Sequence, residues 1–162
     1  MPEHTATSEK QFTITRVFDA PRETVWRLWT DPDEAPHWLH PRNVATPREQ
    51  VAFDVRPGGG YRYTMIAPDG TEYPTAGTYR EVVPVERLVF TWGSPGDADE
   101  TMPVVTIDLA EHGEAGEQTR MTFHLDGFAG RPGDGYVHDG WSEAFDGLAE
   151  RIAERVAERG DR

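Results

Sequence analysis

Residues 137–158 read VHDGWSEAFDGLAERIAERVAE, and the rest of the fold becomes legible once this stretch is understood. Trp141, Ala144, Phe145, Leu148, Ile152 and Val156 recur at three- and four-residue spacing, the period of one helix face. Glu143, Glu150, Arg151, Glu154 and Arg155 occupy the complementary face. At 1.5 Å per residue the stretch predicts a helix of roughly 33 Å, long enough to cross a small domain. Its apolar stripe is narrow and opens on large aromatic rings, which suits a helix laid along a sheet.

Upstream, the period changes from helical to two. Val51, Phe53 and Val55 alternate with Ala52 and Asp54; Tyr61, Tyr63 and Met65 share a face opposite Arg62 and Thr64. Gly77, Tyr79 and Glu81 alternate with Thr78, Arg80 and Val82, and Leu88, Phe90 and Trp92 with Arg87, Val89 and Thr91. Val105, Ile107 and Leu109, then Met121, Phe123 and Leu125, complete six strands. Turn signals at Arg56-Pro57-Gly58-Gly59 and Pro68-Asp69-Gly70 join them without crossover helices, so the sheet is expected to be antiparallel.

The first fifty residues add one more strand and two short helices. Phe12, Ile14 and Phe18 mark a half-buried strand over Gln11–Phe18. Pro21 suits a helix start, and Val25, Trp26, Leu28 and Trp29 follow at helical spacing to Thr30. Asp31-Pro32-Asp33-Glu34 begins a second short helix with carboxylates at its electropositive end, and Pro36 and Pro41 keep the next segment irregular. Residues 1–10 are polar and aperiodic, and are expected to form a flexible end before a single domain over 11–158. The expected class is α+β, a helix-grip fold: a curved seven-stranded antiparallel sheet around a long C-terminal helix, with two short helices after strand 1. Such a helix rarely fills the concavity from end to end, so an apolar cavity with a few polar groups is expected there.

Composition excludes several functions. The chain has 162 residues and no cysteine, so disulfides, thiolate metal sites and cysteine nucleophiles are ruled out. Sixteen cationic residues against 29 acidic ones give a net charge of −13, a field that repels phosphate backbones and anionic lipid surfaces. Lys10 is the only lysine, and the arginines are scattered rather than gathered into a stripe. No apolar run approaches the ~18–20 residues that span a bilayer, and the N-terminus lacks the pattern of a secretory signal. No nucleic-acid or membrane partner is expected, and the location expected is cytoplasmic.

The run from Phe18 through Asp19-Ala20-Pro21-Arg22-Glu23-Thr24-Val25-Trp26 to Trp29-Thr30-Asp31-Pro32 resembles the opening of the SRPBCC (START-like, Bet v-like) superfamily. The likeness is closer to the branch related to the C-terminal domain of the heat shock protein 90 ATPase activator. Three more segments agree: Asp54 to Gly59 with Pro68-Asp69-Gly70; Gly77 to Glu81 with Pro84, Arg87, Leu88 and Thr91; and His138-Asp139-Gly140-Trp141. The resemblance spans about residues 12–157. It implies a hydrophobic cavity between sheet and last helix, in a family whose members bind lipids, hormones, polyketides or drug-like aromatics, act as cyclases, or contact a chaperone. Members often carry paired tryptophans where this chain reads His37-Trp38-Leu39-His40-Pro41.

The residues themselves point to stacking chemistry. Trp29, Trp38, Tyr63, Met65, Tyr79 and Phe90 are expected to bind a ligand, together with Trp92, Ile107, Phe123, Trp141 and Phe145, because rings on a concave face offer wide contact surfaces with occasional polar tips. His37 and His40, three apart with Glu34 nearby, have metal-like spacing, but Pro36 and Pro41 spoil a regular helix, so no metal and no cofactor are expected. Asp54, Glu81 and His138 are the polar groups expected nearest the cavity, where they would satisfy turn amides and ring donors or, in an enzyme, shuttle protons. Ser94 and Ser142 lack a nucleophile context, and Gly58-Gly59-Gly60 lacks the Lys-Ser/Thr of a phosphate loop. The loop from Gly127 to Gly135 either gates the cavity mouth or merely connects. The leading expectation is non-catalytic binding of a small hydrophobic or aromatic molecule. The rivals are a cyclase, isomerase or hydrolase using Glu81 or His138, and a chaperone-interacting ATPase activator. A homodimer through an exposed strand or the short helices is a further expectation.

Overall fold

The computed structural model describes residues 10–160, with side chains to residue 156. Most of the N-terminal segment expected to be flexible therefore lies outside the described residues. Strand β1 (Gln11–Phe18) leads into helix α1 (Arg22–Thr30) and the one-turn helix α2 (Ala35–Trp38). Six strands follow: β2 (Ala52–Phe53), β3 (Gly60–Ile66), β4 (Glu72–Val83), β5 (Arg87–Thr91), β6 (Val104–His112) and β7 (Gln118–Asp126). Helix α3 (Val137–Gly160) ends the described chain. The strands form one curved antiparallel sheet in the order β1-β7-β6-β5-β4-β3-β2, and α3 lies along its concave side, the helix-grip arrangement.

Three local departures from simple periodicity matter for the site. Strand β2 has two residues rather than five, because Val51 closes a 3-10 turn by donating its N–H to Arg48 O at 3.1 Å. Asp54 then enters a tight loop in which Arg56 N donates to Asp54 O at 2.9 Å and Gly59 N to Arg56 O at 2.8 Å. The acidic run Asp31–Glu34 is a turn before the second helix rather than its first turn, and α2 stops after four residues between Pro36 and Pro41. Strand β4 carries a bulge between Tyr79, which pairs with Phe90, and Glu81, which pairs with Val89. The extra residue breaks the alternation, so Tyr79 is buried while Glu81 lies at the surface, bonded by Arg87 Nε at 3.1 Å.

Helix α3 is fixed to the rest at three places. At its start, the Asp134 carboxylate accepts from the backbone N–H groups of Tyr136, His138 and Asp139, while Asp139 reaches back to Gly133 N and Gly135 N at 2.8 and 2.7 Å. These reciprocal bonds satisfy helix-start donors and tie residues 133–135 to the first turn of α3. In the middle, Arg16 projects inward from β1, donating to Ser142 O and Oγ at 3.0 and 2.9 Å and pairing with Asp146 at 3.0 Å. Towards the end, Glu34 receives Arg151 at 2.8 Å and Arg155 at 2.7 Å. Burial alone would raise the Glu34 pKa, but the Arg151 hydrogen bond and the charges of Arg151 and Arg155 outweigh it and hold it below the usual carboxylate value.

Close approach completes the attachment. A Cβ at Gly147 would lie 3.7 Å from Trp38 Cα, and one at Gly140 3.5 Å from Pro41 Cγ. Residues 38–41 thus pack along the glycine side of α3. Beneath them, Phe123, Phe145, Leu148, Ile107, Met121 and Leu125 form the fully buried core. No helix among the described residues is long and apolar enough to cross a membrane.

Candidate functional site

Two adjoining apolar cavities open on the concave side, and they differ in what they can hold. The deep one has a volume of about 20 Å³, room for little more than one water. Its walls include Trp29, Phe53, Tyr61, Tyr79, Leu88 and Phe90. The outer one, of about 140 Å³, lies between β3, the end of β5, the start of α3 and the His40–Pro41 segment. Met65, Trp92, Tyr136, Val137, Gly140 and Ala144 line it. Leu39, Tyr63 and Trp141 border both.

The eleven residues expected to bind a ligand divide into walls and core. Trp29, Tyr79 and Phe90 border the deep cavity, Met65 and Trp92 the outer one, and Tyr63 and Trp141 both. Trp38, Ile107, Phe123 and Phe145 border neither and lie in the buried core. Trp38 is turned into the core, where its Nε1 donates to Leu28 O at 2.9 Å and its ring meets Trp29 edge-on at 4.7 Å. Phe145 comes down from α3 onto Phe123 at 5.2 Å, and both rings, like Ile107, are buried in the close-packed core.

Leu39, Phe53, Tyr61, Leu88 and Tyr136 are walls that the sequence reading left out. Tyr61 and Leu88 had a usable signal, since they share strand faces with Tyr63 and Phe90. Leu39 and Tyr136 lie outside any periodic element, and only the tertiary fold brings them to the site.

The outer cavity has an aromatic rim. Phe128, from the loop before α3, lies 5.9 Å from both Trp92 and Tyr136, and Trp92 lies 5.7 Å from Trp141. Tyr136 is 68% exposed and stands at the opening. The Asp134 and Asp139 bonds that start α3 therefore also set the edge of the cavity.

Polar groups at the walls are few and mostly engaged. Tyr61 Oη donates to Thr91 O at 2.6 Å, and Trp92 Nε1 donates to Tyr63 Oη at 3.3 Å. Burial pushes the Tyr63 phenol up to about 12, against hydrogen bonds from Trp92 and Thr75 that act the other way. Tyr61 and Tyr79 are raised as well, chiefly by burial, with the neighbouring Asp54 charge adding to the effect at Tyr79. These phenols remain neutral donors and acceptors rather than bases. His40 borders the outer cavity with both ring nitrogens on carbonyls, Nδ1 3.0 Å from Pro41 O and Nε2 3.1 Å from Pro36 O. Trp141 differs from the rest: its Nε1 is buried and has no partner.

The acid–base candidates lie elsewhere. Asp54 bonds Arg56 at the surface, Glu81 pairs with Arg87, and His138 packs against Phe12 at 5.1 Å between ring centroids. None of the three borders either cavity, which corrects their expected placement. Among the described residues no group of three or more His, Asp or Glu side chains is placed to hold a metal ion.

The comparisons agree with this architecture. The sequence profile of the family described as Activator of Hsp90 ATPase homolog 1-like protein matches residues 19–153. A crystal structure of a Nitrosomonas europaea protein is similar at 24% identity and TM-score 0.75, covering 93% of this chain and 98% of that one. A Chromobacterium violaceum protein is similar at 28% identity and TM-score 0.72, covering 86% and 95%. An HSP90 activator from Plasmodium falciparum is similar at 16% identity and TM-score 0.55, covering 75% and 76%. No curated protein matches the sequence.

Proposed function

Given that the chain belongs to the Activator of Hsp90 ATPase homolog 1-like family, we propose that it binds one small, ring-sized apolar molecule in its outer cavity, without turnover. The observation that carries this reading is the cavity of about 140 Å³ walled by Tyr63, Met65, Trp92 and Trp141. An engineered, enclosed apolar cavity of about 150 Å³ takes up benzene, so a space of this size suits one ring. The deep cavity, of about 20 Å³, supports the same size limit because it adds no room for a longer ligand.

Attraction comes from removing apolar surface from water, at roughly 25 cal/mol per Å². Small ligands gain at most about 1.5 kcal/mol per heavy atom, a ceiling of about 9 kcal/mol for six ring atoms, so dissociation constants below about 0.1 µM are not expected for a single ring. Binding without turnover is supported by the positions of Asp54, Glu81 and His138 away from the cavities. The family description also suggests stimulation of a chaperone ATPase. The likeness to the Plasmodium activator is one of fold, which does not carry that protein's activity to this chain.

Toluene is a direct probe. Its binding is expected to change the emission of Trp92 and Trp141 and to raise the thermal midpoint. Unchanged emission and midpoint up to the aqueous solubility limit of toluene would remove the basis of the reading.

A further inference from the structure

The two edges of the sheet are built differently. Strand β2, at one edge, is two residues long and lies between Pro47 and Pro57. Shortness and nearby prolines keep an edge from pairing with other chains. Strand β1, at the other edge, has eight residues in unbroken register with β7, and no strand among the described residues pairs with its outer side. Residues 11–18 contain no proline, glycine or acid, although the chain carries 29 acids in all. Their single charge, Arg16, is turned inward and taken up by Asp146 and Ser142.

The register fixes which backbone groups face the open side. Gly127 N donates to Lys10 O at 2.7 Å, and these residues stand opposite each other one step beyond the Gln11–Asp126 pair. Bonded positions alternate along an antiparallel pair, so Phe12, Ile14, Arg16 and Phe18 bond β7. The N–H and C=O groups of Thr13, Thr15 and Val17 then point to the open edge. The side chains of the same three residues are exposed, and they stand beside His124, Thr122 and Arg120 of β7. All three are β-branched, the type that suits a pleated surface.

We propose that this edge binds a second copy of the chain, whose own β1 adds antiparallel about a two-fold axis at Thr15 and joins the two seven-stranded sheets into one. In that register Thr15 faces Thr15, and Thr13 faces Val17 of the second copy, so every edge donor meets an edge acceptor. Thr122 and Thr15 of the two copies form one row of threonines across the joint, a favourable cross-strand pairing. Arg16 falls opposite Ile14, whereas an axis one residue further on would set Arg16 against itself. Lys10, the only lysine, comes beside Asp19 of the second copy. Both are exposed, and neither has an ion-pair partner among the described residues. Two such contacts offset part of the repulsion between chains of net charge −13.

Sedimentation velocity on the full chain is the first test. Monomer should give way to dimer between about 1 and 500 µM, the range of a small interface. Thr15→Lys sets like charges face to face across the axis. It is expected to raise the dissociation constant at least tenfold while moving the thermal midpoint of the dilute monomer by less than about 5 °C. Because the chain has no cysteine, a single introduced thiol can bridge only to another copy. At position 15 the two Cα atoms would lie about 5.5 Å apart, within disulfide reach, whereas at position 13 they would lie roughly 14 Å apart. With diamide as oxidant, Thr15→Cys should therefore cross-link at least tenfold faster than Thr13→Cys. Should Thr15→Lys fail to fold, the wild-type sedimentation and the two cysteine variants decide. A wild-type chain that stays monomeric to about 500 µM overturns the proposal and leaves the edge to another occupant, residues 1–9 or a foreign strand. A dimer that Thr15→Lys leaves intact is held by another face and overturns it too, as does equal cross-linking at positions 13 and 15.

Discussion

Glu34→Gln isolates what the charge at the end of α3 contributes. The carboxylate side chain is 9% exposed, and its partners Arg151 and Arg155 are 12% and 19% exposed, at 2.8 and 2.7 Å. Removing one partner of a buried pair typically costs about 3–5 kcal/mol, because the remaining charge stays buried without compensation. The amide introduced by the substitution keeps a hydrogen-bonding oxygen, and Arg151 retains Glu154 at 3.2 Å, so a loss of about 2–4 kcal/mol is expected. For a domain of this size that corresponds to a fall of roughly 5–15 °C in thermal midpoint. The control is Glu150→Gln, which breaks the Arg42 pair. That pair has the same 2.8 Å geometry, but its side chains are 53% and 60% exposed, and the midpoint should not move measurably. Because the folded-state pKa of Glu34 is lowered, its contribution is present above the unfolded value near 4.3 and is lost as pH falls through the folded value. The gap between wild type and Glu34→Gln should therefore close on acidification below about pH 4. Urea titrations of both variants across pH 3–7 measure this, and equal midpoints for the two variants at pH 7 would refute the reasoning.

Three further outcomes follow from the same geometry. Ala144→Leu places a larger side chain in the outer cavity from a helical position, and is expected to weaken toluene binding at least tenfold while shifting stability by less than about 1.5 kcal/mol; calorimetry with and without ligand separates the two effects. Gly147→Ala adds a methyl at ordinary contact distance from Trp38 and improves helix propensity, so denaturant titration should show a gain of about 0.5–1 kcal/mol. Tyr61, Tyr63 and Tyr79 should stay unionised past pH 10 in a spectrophotometric titration of the folded protein. Unfolded phenols release their protons near pH 10, so stability should decline as pH rises beyond that value.

The periodic parts of the molecule were legible before any coordinates. Alternation at Tyr61, Tyr63 and Met65 and helical spacing from Trp141 to Ile152 are local consequences of burial on one face. What the pattern could not carry were events that change the count. The bulge at β4 leaves the letters around Arg80 unremarkable while reversing the side on which Glu81 emerges. The attachments of α3 were also hidden, because Arg16 meets Ser142 and Asp146, and Glu34 meets Arg151, across more than a hundred residues of chain. For the site, composition shows that rings are abundant, but the choice between wall and filler depends on packing. Phe145 and Trp141 stand four apart on one helix, yet the first is core and the second borders both cavities. Leu39 could be singled out only where the resemblance showed a missing ring, and it became a wall of both spaces.

The pairing of Gln11 with Asp126 has a consequence for biosynthesis. At translation rates of about 5–20 residues per second, the first strand leaves the ribosome on the order of ten seconds before its hydrogen-bonding neighbour exists. During that interval Phe12, Ile14 and Phe18 are exposed to any sticky partner, and the one interruption in their row is the charge of Arg16. The guanidinium that later grips the terminal helix would thus first serve the nascent chain as a guard against premature self-association.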